Sequence, residues 1–164
     1  MGHHICALVV AGRVDAGHGH SVGLRAELVH DDISVFPIDH YFSAYWAARR
    51  GSSAQLDLPD GLPATFPDEA VLCDLVREVT GTDEPRFAII QTDYFGGIGD
   101  QWAVAFAGRR RLTADQASIN EALAALGVRA SASADEFDVI GLGEFRSNPD
   151  HLERYVDLCD ELGV

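Results

Sequence analysis

The stretch FAIIQTDYFGGIGDQWAVAFA, residues 87–107, decides the fold because two runs of β-branched and aromatic residues flank a glycine cluster. Gly96 and Gly97 can adopt the positive φ angles that a two-residue primed turn needs, so the pattern predicts a β-hairpin. Gly99, just beyond the turn, predicts a β-bulge in the second strand.

The second arm of the predicted hairpin alternates large and small side chains. The large ones belong to Trp102, Val104 and Phe106, and the small ones to Ala103, Ala105 and Ala107. A strand with one bulky and one small face is suited to a helix lying against the small side. We therefore expect this hairpin at the centre of a sheet that is covered on both faces.

Polar side chains gather at the tip of this hairpin. Asp93 and Tyr94 precede the glycines, and Asp100 and Gln101 follow them. Together with the backbone N–H groups of the turn, these side chains are candidates to bind a small ligand. The alternative is that the glycines serve turn geometry alone and the polar side chains cap the strand ends.

Three segments of the chain resemble segments that recur in a group of other proteins. DYFGGIGDQ (93–101) resembles a DYFGG-x-G-x-Q segment that recurs in uncharacterised bacterial proteins, and INEALAALGV (119–128) and DEFDVIGLGEFRS (135–147) resemble companion segments of the same group. The resemblance implies a shared small fold and carries no activity, so no catalytic role is assigned from it.

The whole chain predicts one α+β domain over residues 1–164, with a mixed, mainly antiparallel sheet and about four helices packed around the central hairpin. A hydrophobic content of 47% suits a sizeable core. The helices are predicted after Asp39, from Pro67, after a Thr113–Gln116 capping box and after Pro149, and further strands over 5–11, 25–30, 33–38 and 137–142. The last helix is expected to turn Leu152, Tyr155, Val156, Cys159 and Leu162 inward.

All twelve basic residues are arginine. The absence of lysine from the sequence excludes a P-loop lysine, a Schiff-base lysine and a lysine general base. Most nucleotide hydrolases and pyridoxal enzymes are thereby removed from consideration.

The net charge of −14 is concentrated in two segments. Residues 57–84 hold eight acids and one arginine, and residues 135–164 hold nine acids and two arginines, so each segment carries −7. We expect the two segments to share one side of the fold as a negative face that repels nucleic acid and anionic membranes and attracts a basic protein. Its candidate contact residues are Asp135, Glu136, Asp138, Asp157, Asp160 and Glu161. The alternative is a solvated surface that maintains solubility.

Cysteine usage indicates a reducing compartment. Cys6, Cys73 and Cys159 are scattered, without CxxC spacing, and the start of the chain does not match a secretory signal. We therefore expect buried, reduced thiols and a cytoplasmic protein.

Candidates for metal binding and catalysis are weak. His18 and His20 form an HxH pair near Asp15, but a zinc site wants three or four convergent ligands. Asp135, Glu136 and Asp138 could instead hold a cation, although neighbouring acids in a loop usually face water. His3 and His4, near the start, are expected to be exposed. We predict no catalytic residue, no cofactor and no resident metal.

Two hypotheses follow for function. The first is an acidic cytoplasmic binding protein of the immunity or regulatory-partner type, which neutralises a basic protein. The alternative is a small-molecule-binding domain or enzyme that uses the tip of the glycine hairpin, and a deep cavity enclosing that tip would favour it. The oligomeric state is left open.

Overall fold

The computed structural model describes residues 2–164, which form a seven-stranded sheet with helices on both faces. The strands are β1 (Gly2–His3), β2 (Cys6–Ala11), β3 (Leu28–His30), β4 (Ile33–Pro37), β5 (Arg86–Phe95), β6 (Ile98–Ala107) and β7 (Arg110–Arg111). Their order is β3-β4-β2-β5-β6-β7, and β1 pairs with the outer end of β5 beyond β2. The predicted α+β class is confirmed.

The hairpin of β5 and β6 lies at the centre of this sheet, as predicted. Its ladder runs without interruption from Arg86 opposite Ala107 to Phe95 opposite Ile98. Every ladder between the seven strands of residues 2–164 is antiparallel, and the parallel component is an isolated bridge between His4 and Ser147.

The turn of the hairpin has the predicted geometry. Gly96 and Gly97 both adopt positive φ, 62° and 80°. The predicted bulge at Gly99 is wrong, because Gly99 pairs directly with Tyr94 in the regular ladder. Glycine is required there for a different reason: a Cβ atom would lie 1.9 Å from the Asp93 carbonyl oxygen.

Two apolar layers cover the sheet. The alternation of β6 places Val104 and Phe106 in one core, and Ala103 and Ala105 in the other. The alanine side receives helix α4 (Ile119–Ala125), as predicted, because small side chains let the helix approach the strand closely.

The remaining helices within residues 2–164 are α1 (Ala16–Ser21), α2 (His40–Arg49), α3 (Val71–Thr80), α5 (Glu136–Val139) and α6 (Arg154–Leu162), with 3₁₀ turns at Leu142–Glu144 and Asp150–Glu153. Helices α2, α3, α4 and α6 are the four that were predicted. Helices α2, α3 and α6 cover the bulky face of the hairpin, while α4, α5 and the first 3₁₀ turn cover the alanine face. No helix in the described part of the chain is long and apolar enough to cross a membrane.

Several predicted element ends are wrong. Helix α3 starts at Val71 and not at Pro67. The capping box of α4 is formed by Ser118 and Glu121, because the Thr113 hydroxyl instead accepts a hydrogen bond from the Ala105 N–H.

Two further errors lie in the C-terminal part. The predicted strand over 137–142 is helix α5 followed by a 3₁₀ turn, since the Asp135 side chain caps a helical start. In α6, Tyr155 and Cys159 are buried as expected, but Val156 and Leu162 are exposed. The helix buries a narrower stripe than the sequence pattern suggested.

Candidate functional site

The outer half of the hairpin keeps the strict alternation of a strand, and this divides its polar side chains between the two faces of the sheet. Tyr94 and Gln101 share a face with Thr92, since Gln101 pairs with Thr92 and Tyr94 with Gly99. Asp93 and Asp100 pair with each other and lie on the opposite face. The four tip residues predicted as one ligand site are therefore split into two pairs.

A cavity of about 580 Å³ lies on the Tyr94 face. The hairpin contributes five of its lining residues, namely Thr92, Tyr94, Gly96, Gly97 and Gln101. This open cavity includes Tyr94 and Gln101 of the four predicted tip residues and leaves out Asp93 and Asp100.

Three other parts of the chain complete this tip cavity. His3 comes from β1 and Asn120 from α4, while Asp135, Phe137, Gly143 and Arg146 come from the segment around α5. Residues from 93–101, 119–128 and 135–147 therefore meet at one place.

Gln101 joins the hairpin to α4. Its Oε1 accepts the Ile119 N–H at 2.8 Å, and its Nε2 donates to the Tyr94 hydroxyl at 3.1 Å. Because a backbone N–H can only donate, the first bond fixes the orientation of the Gln101 amide. The second bond then positions the Tyr94 ring at the cavity wall.

Asn120 joins α4 to α5 in the same way. Its Oδ1 accepts the Phe137 N–H at 2.8 Å, and its Nδ2 donates to Asp135 Oδ2 at 3.1 Å. The other carboxylate oxygen of Asp135 accepts the Asp138 N–H at 2.9 Å and caps α5. Asp135 is therefore a structural cap whose charge also faces the cavity.

His3 forms a wall of the cavity, and the expectation that it is exposed is wrong. Its ring is half-buried, tilted against Phe137 at 5.4 Å. Nε2 donates to the Leu142 carbonyl oxygen at 2.9 Å, and Nδ1 lies 2.8 Å from the Thr92 hydroxyl. In the neutral ring the proton is thereby placed on Nε2. His4 is exposed as predicted, and its Nδ1 lies 3.0 Å from Asp93 Oδ1.

Arg146 supplies the positive charge of the cavity. The His4 N–H donates to the Arg146 carbonyl oxygen at 2.8 Å, which fixes the backbone of this residue beside β1. The guanidinium is exposed and reaches the Gly2 carbonyl oxygen only at 3.4 Å. Within residues 2–164 it forms no ion pair.

The two acidic segments differ in their surroundings. In segment 57–84, arginine partners lie within 4 Å of Asp57, Asp74, Glu78 and Glu84. Three of these acids are bound by Arg109, Arg110 and Arg111, so the arginine run pairs with the protein's own acids. Among the described residues, no acid of segment 135–164 has an ion-pair partner.

The predicted single negative face is wrong for the α5 part of segment 135–164, whereas α6 lies in the same layer as α3 of segment 57–84. Phe137 and Ile140 pack in the core on the alanine face, whereas Tyr155 and Cys159 pack on the bulky face. Helix α5, with Glu136 and Asp138 in its first turn, therefore lies across the sheet from α6. The exposed side chains of Asp157, Asp160 and Glu161 lie on the outer surface of α6, which also exposes Arg154, Val156 and Leu162.

His18 and His20 lie in the short helix α1 and have different neighbours. His18 Nε2 lies 3.1 Å from Glu78 Oε2, while His20 lines a second cavity, of about 460 Å³, with Arg13, Asp31 and Asp32. Across residues 2–164, no three His, Cys, Asp or Glu side chains are grouped so as to hold a metal ion.

Groups with shifted pKa lie away from the tip cavity. Burial raises the pKa of the Asp39 carboxyl, against the opposing effect of the hydrogen bond from the Phe42 N–H at 2.7 Å. Burial also raises the pKa of the Cys6 thiol, which is free, buried and hence protonated at neutral pH. Asp39 caps α2 and Cys6 packs in the core, so both have structural roles.

Sequence reasoning missed six cavity residues: His3, Thr92, Asn120, Phe137, Gly143 and Arg146. The sequence did contain one usable signal. Strand alternation continues through the tip, so it places Tyr94 and Gln101 on one face, together with Thr92, and Asp93 and Asp100 on the other. No local pattern could bring His3 and Arg146 together, because the chain is joined there by an isolated bridge between their neighbours His4 and Ser147.

Comparison with protein-family models, with curated proteins and with solved structures finds no match for this chain.

Proposed function

We propose that the protein binds a small polar molecule in the tip cavity. The observation that carries this proposal is the convergence of Tyr94, Gln101, Asn120 and Arg146 on one cavity of about 580 Å³. Small-molecule sites commonly occupy roughly 300–1,000 Å³ and combine apolar walls with a few oriented polar groups.

The polar groups of this cavity are held in place before any ligand arrives. Gln101 and Asn120 each hold a backbone N–H of a neighbouring helix at 2.8 Å, so their amides are fixed in rotation. Fixed side chains lose little conformational entropy on binding, which favours affinity. The Phe137 ring supplies an apolar surface beside them.

A substitution that fills the cavity tests this proposal. Gly143 lines the cavity, and a Cβ atom there would have Asp138 Oδ1, at 3.5 Å, as its nearest neighbour, so Gly143→Phe adds its side chain at the cavity wall without a clash at Cβ. Gly17→Phe is a matched control, because a Cβ there would likewise meet one carboxylate oxygen, of Asp15, at 3.5 Å.

The measurement is saturation-transfer NMR with mixed anionic, neutral and cationic fragments. We expect a set of fragments to bind the native protein and Gly17→Phe, and to lose binding to Gly143→Phe. Fragments that bind all three proteins equally would contradict a site in this cavity, as would the absence of any binding fragment.

A second candidate function is binding of a basic protein by the outer surface of α6. The supporting observation is that the exposed acids there, Asp157, Asp160 and Glu161, have no ion-pair partner within residues 2–164, unlike the paired acids of segment 57–84. Unpaired charges on one helix face speed association with a complementary surface.

Charge neutralisation tests this second candidate. The variant Asp157→Asn, Asp160→Asn, Glu161→Gln is compared with Asp57→Asn, Glu84→Gln, Asp115→Asn, which removes the same formal charge from exposed paired acids. Association rates with a panel of basic nucleases are measured at low and high salt. We expect the α6 variant alone to lose the salt-dependent association, and equal losses in both variants would indicate a non-specific charge effect.

A further inference from the structure

We propose that the ligand of the tip cavity presents an anionic oxygen group, a carboxylate or a phosphate, to Arg146, Tyr94 and the side-chain amides of Gln101 and Asn120. This inference rests on the proposed function and names its ligand class. It follows from which hydrogen-bonding groups of the cavity are already used and which are left.

Four side-chain oxygens of the cavity each accept one hydrogen bond and keep a second lone pair. Gln101 Oε1 and Asn120 Oδ1 each accept a backbone N–H at 2.8 Å. The two oxygens of Asp135 accept from Asp138 N and Asn120 Nδ2, and the Leu142 carbonyl accepts from His3 Nε2. These oxygens therefore do not decide the ligand class, which follows from the free donors and from the charge of Arg146.

Several donors of the cavity have hydrogens that no acceptor in the described part of the chain uses. Gln101 Nε2 and Asn120 Nδ2 each carry two hydrogens and use one, toward Tyr94 and Asp135. The Tyr94 hydroxyl oxygen accepts a hydrogen bond from Gln101, and the hydroxyl hydrogen has no acceptor within residues 2–164. The guanidinium of Arg146 forms one long hydrogen bond, at 3.4 Å, and offers its remaining N–H groups.

The charges of the cavity support the same ligand class. Arg146 lies without an ion-pair partner in the described part of the chain, whereas both oxygens of Asp135 are engaged by donors of the protein. Arginine binds carboxylate and phosphate through paired N–H groups, which adds geometric specificity. The exposed Asp135 carboxylate opposes an anion only weakly across solvent, because exposed charges are screened.

The experiment titrates ¹⁵N-labelled protein with sodium acetate, sodium phosphate or tetramethylammonium chloride at one fixed ionic strength. The side-chain amide resonances of Gln101 and Asn120 and the backbone amide of Gly97 report binding. We expect acetate or phosphate to shift these resonances to saturation, and tetramethylammonium to leave them unchanged. Whichever of acetate and phosphate binds more tightly shows whether the ligand presents a carboxylate or a phosphate group.

Three variants give this titration opposite expected outcomes. Arg146→Gln should weaken anion binding roughly tenfold, since a charged hydrogen-bond donor is lost. Asp135→Ser should strengthen it roughly two- to fivefold, because serine can still cap α5 and places no second donor against Asn120 Nδ2, while the like charge is removed. Arg49→Gln, which removes an arginine at the end of α2 on the other layer, should have no effect.

The failures of the two proposals are distinguishable. If tetramethylammonium or neutral fragments saturate the same resonances while both anions leave them unchanged, the ligand class is wrong and the binding site stands. If Asp135→Ser weakens anion binding, or Arg49→Gln weakens it as much as Arg146→Gln, the anion assignment is also overturned. If no probe and no fragment of the mixed set shifts these resonances, both proposals fall.

Discussion

The inner and outer halves of the central hairpin share one uninterrupted ladder, but different physical requirements select the amino acids in each half. The inner half, from Phe87 to Ile90 and from Ala103 to Ala107, is buried on both faces. The outer half, around Gly96 and Gly97, extends beyond the helices, and Phe95 and Ile98 are 76% and 82% exposed. Packing against helices specifies the inner half, whereas backbone geometry and polar contacts specify the outer half.

This difference shows how one hairpin can hold a fold together and also form a site. Side chains that are buried between two layers contribute most of the stability. The outer half contributes little buried area, so its residues are free to line a cavity. Changes in the inner half should therefore alter stability, and changes in the outer half should alter mainly binding.

The largest expected effect is that of Phe106→Ala in the inner half. Phe106 is fully buried and its ring stacks on that of Phe87 at a centroid distance of 5.1 Å. Truncation should lower the free energy of unfolding by about 3–5 kcal/mol, because it removes apolar contacts and leaves a cavity. Urea denaturation measures this loss. A loss below about 1 kcal/mol would show that the inner half is not the stabilising half.

A smaller effect is expected for Gly99→Ala in the outer half. The added Cβ would lie 1.9 Å from the Asp93 carbonyl oxygen, so one strand of the ladder must shift. We expect a loss of about 1–3 kcal/mol in unfolding free energy, as for other overpacked sites. Thermal unfolding and amide NMR shifts of the two strands check this, and an unchanged ladder with unchanged stability would contradict it.

Gly97→Ala should cost less than Gly99→Ala. A Cβ at Gly97 meets no atom within 4 Å, and the cost comes only from its positive φ of 80°. Alanine in this conformation should destabilise the hairpin by about 1 kcal/mol. The same change at Gly96, where φ is 62°, should give a similar loss. Unchanged midpoints for both variants would mean that the turn does not need glycine.

The smallest effect is expected when Phe95 and Ile98 are both changed to serine. Both side chains are mostly exposed at the tip, so the unfolding free energy should change by no more than about 0.5 kcal/mol per residue. Urea denaturation of the double variant measures it. A larger loss would show that these side chains pack against the protein in solution. The outer half would then also contribute to stability, against the distinction drawn between the two halves.

Much of the fold could be predicted from residues 87–107, because alternation and glycine content are local signals. The helix against Ala103 and Ala105 also followed from the small side chains. Helix starts were less predictable. Thr113 and Ser118 both begin plausible capping boxes, and only the hydrogen bond of Thr113 to the Ala105 N–H decides between them.

The site was predictable only in part. Tyr94, Gln101 and the turn glycines were expected at the tip, and they line the cavity. Asp93 and Asp100 were grouped with them because the tip was treated as a loop, whereas the ladder keeps strand alternation to the last pair. His3 and Arg146 depend on long-range contacts that no local sequence pattern encodes.

The central claim, that the outer half of the hairpin is a binding site, is tested most directly by an amide NMR map recorded with the better-binding of acetate and phosphate. The account predicts that the largest shift changes lie at residues 94–101, at Asn120 and around Asp135 to Arg146, with the inner half of the ladder unaffected. Largest changes on α6, or at the second cavity beside Asp31 and Asp32, would contradict it.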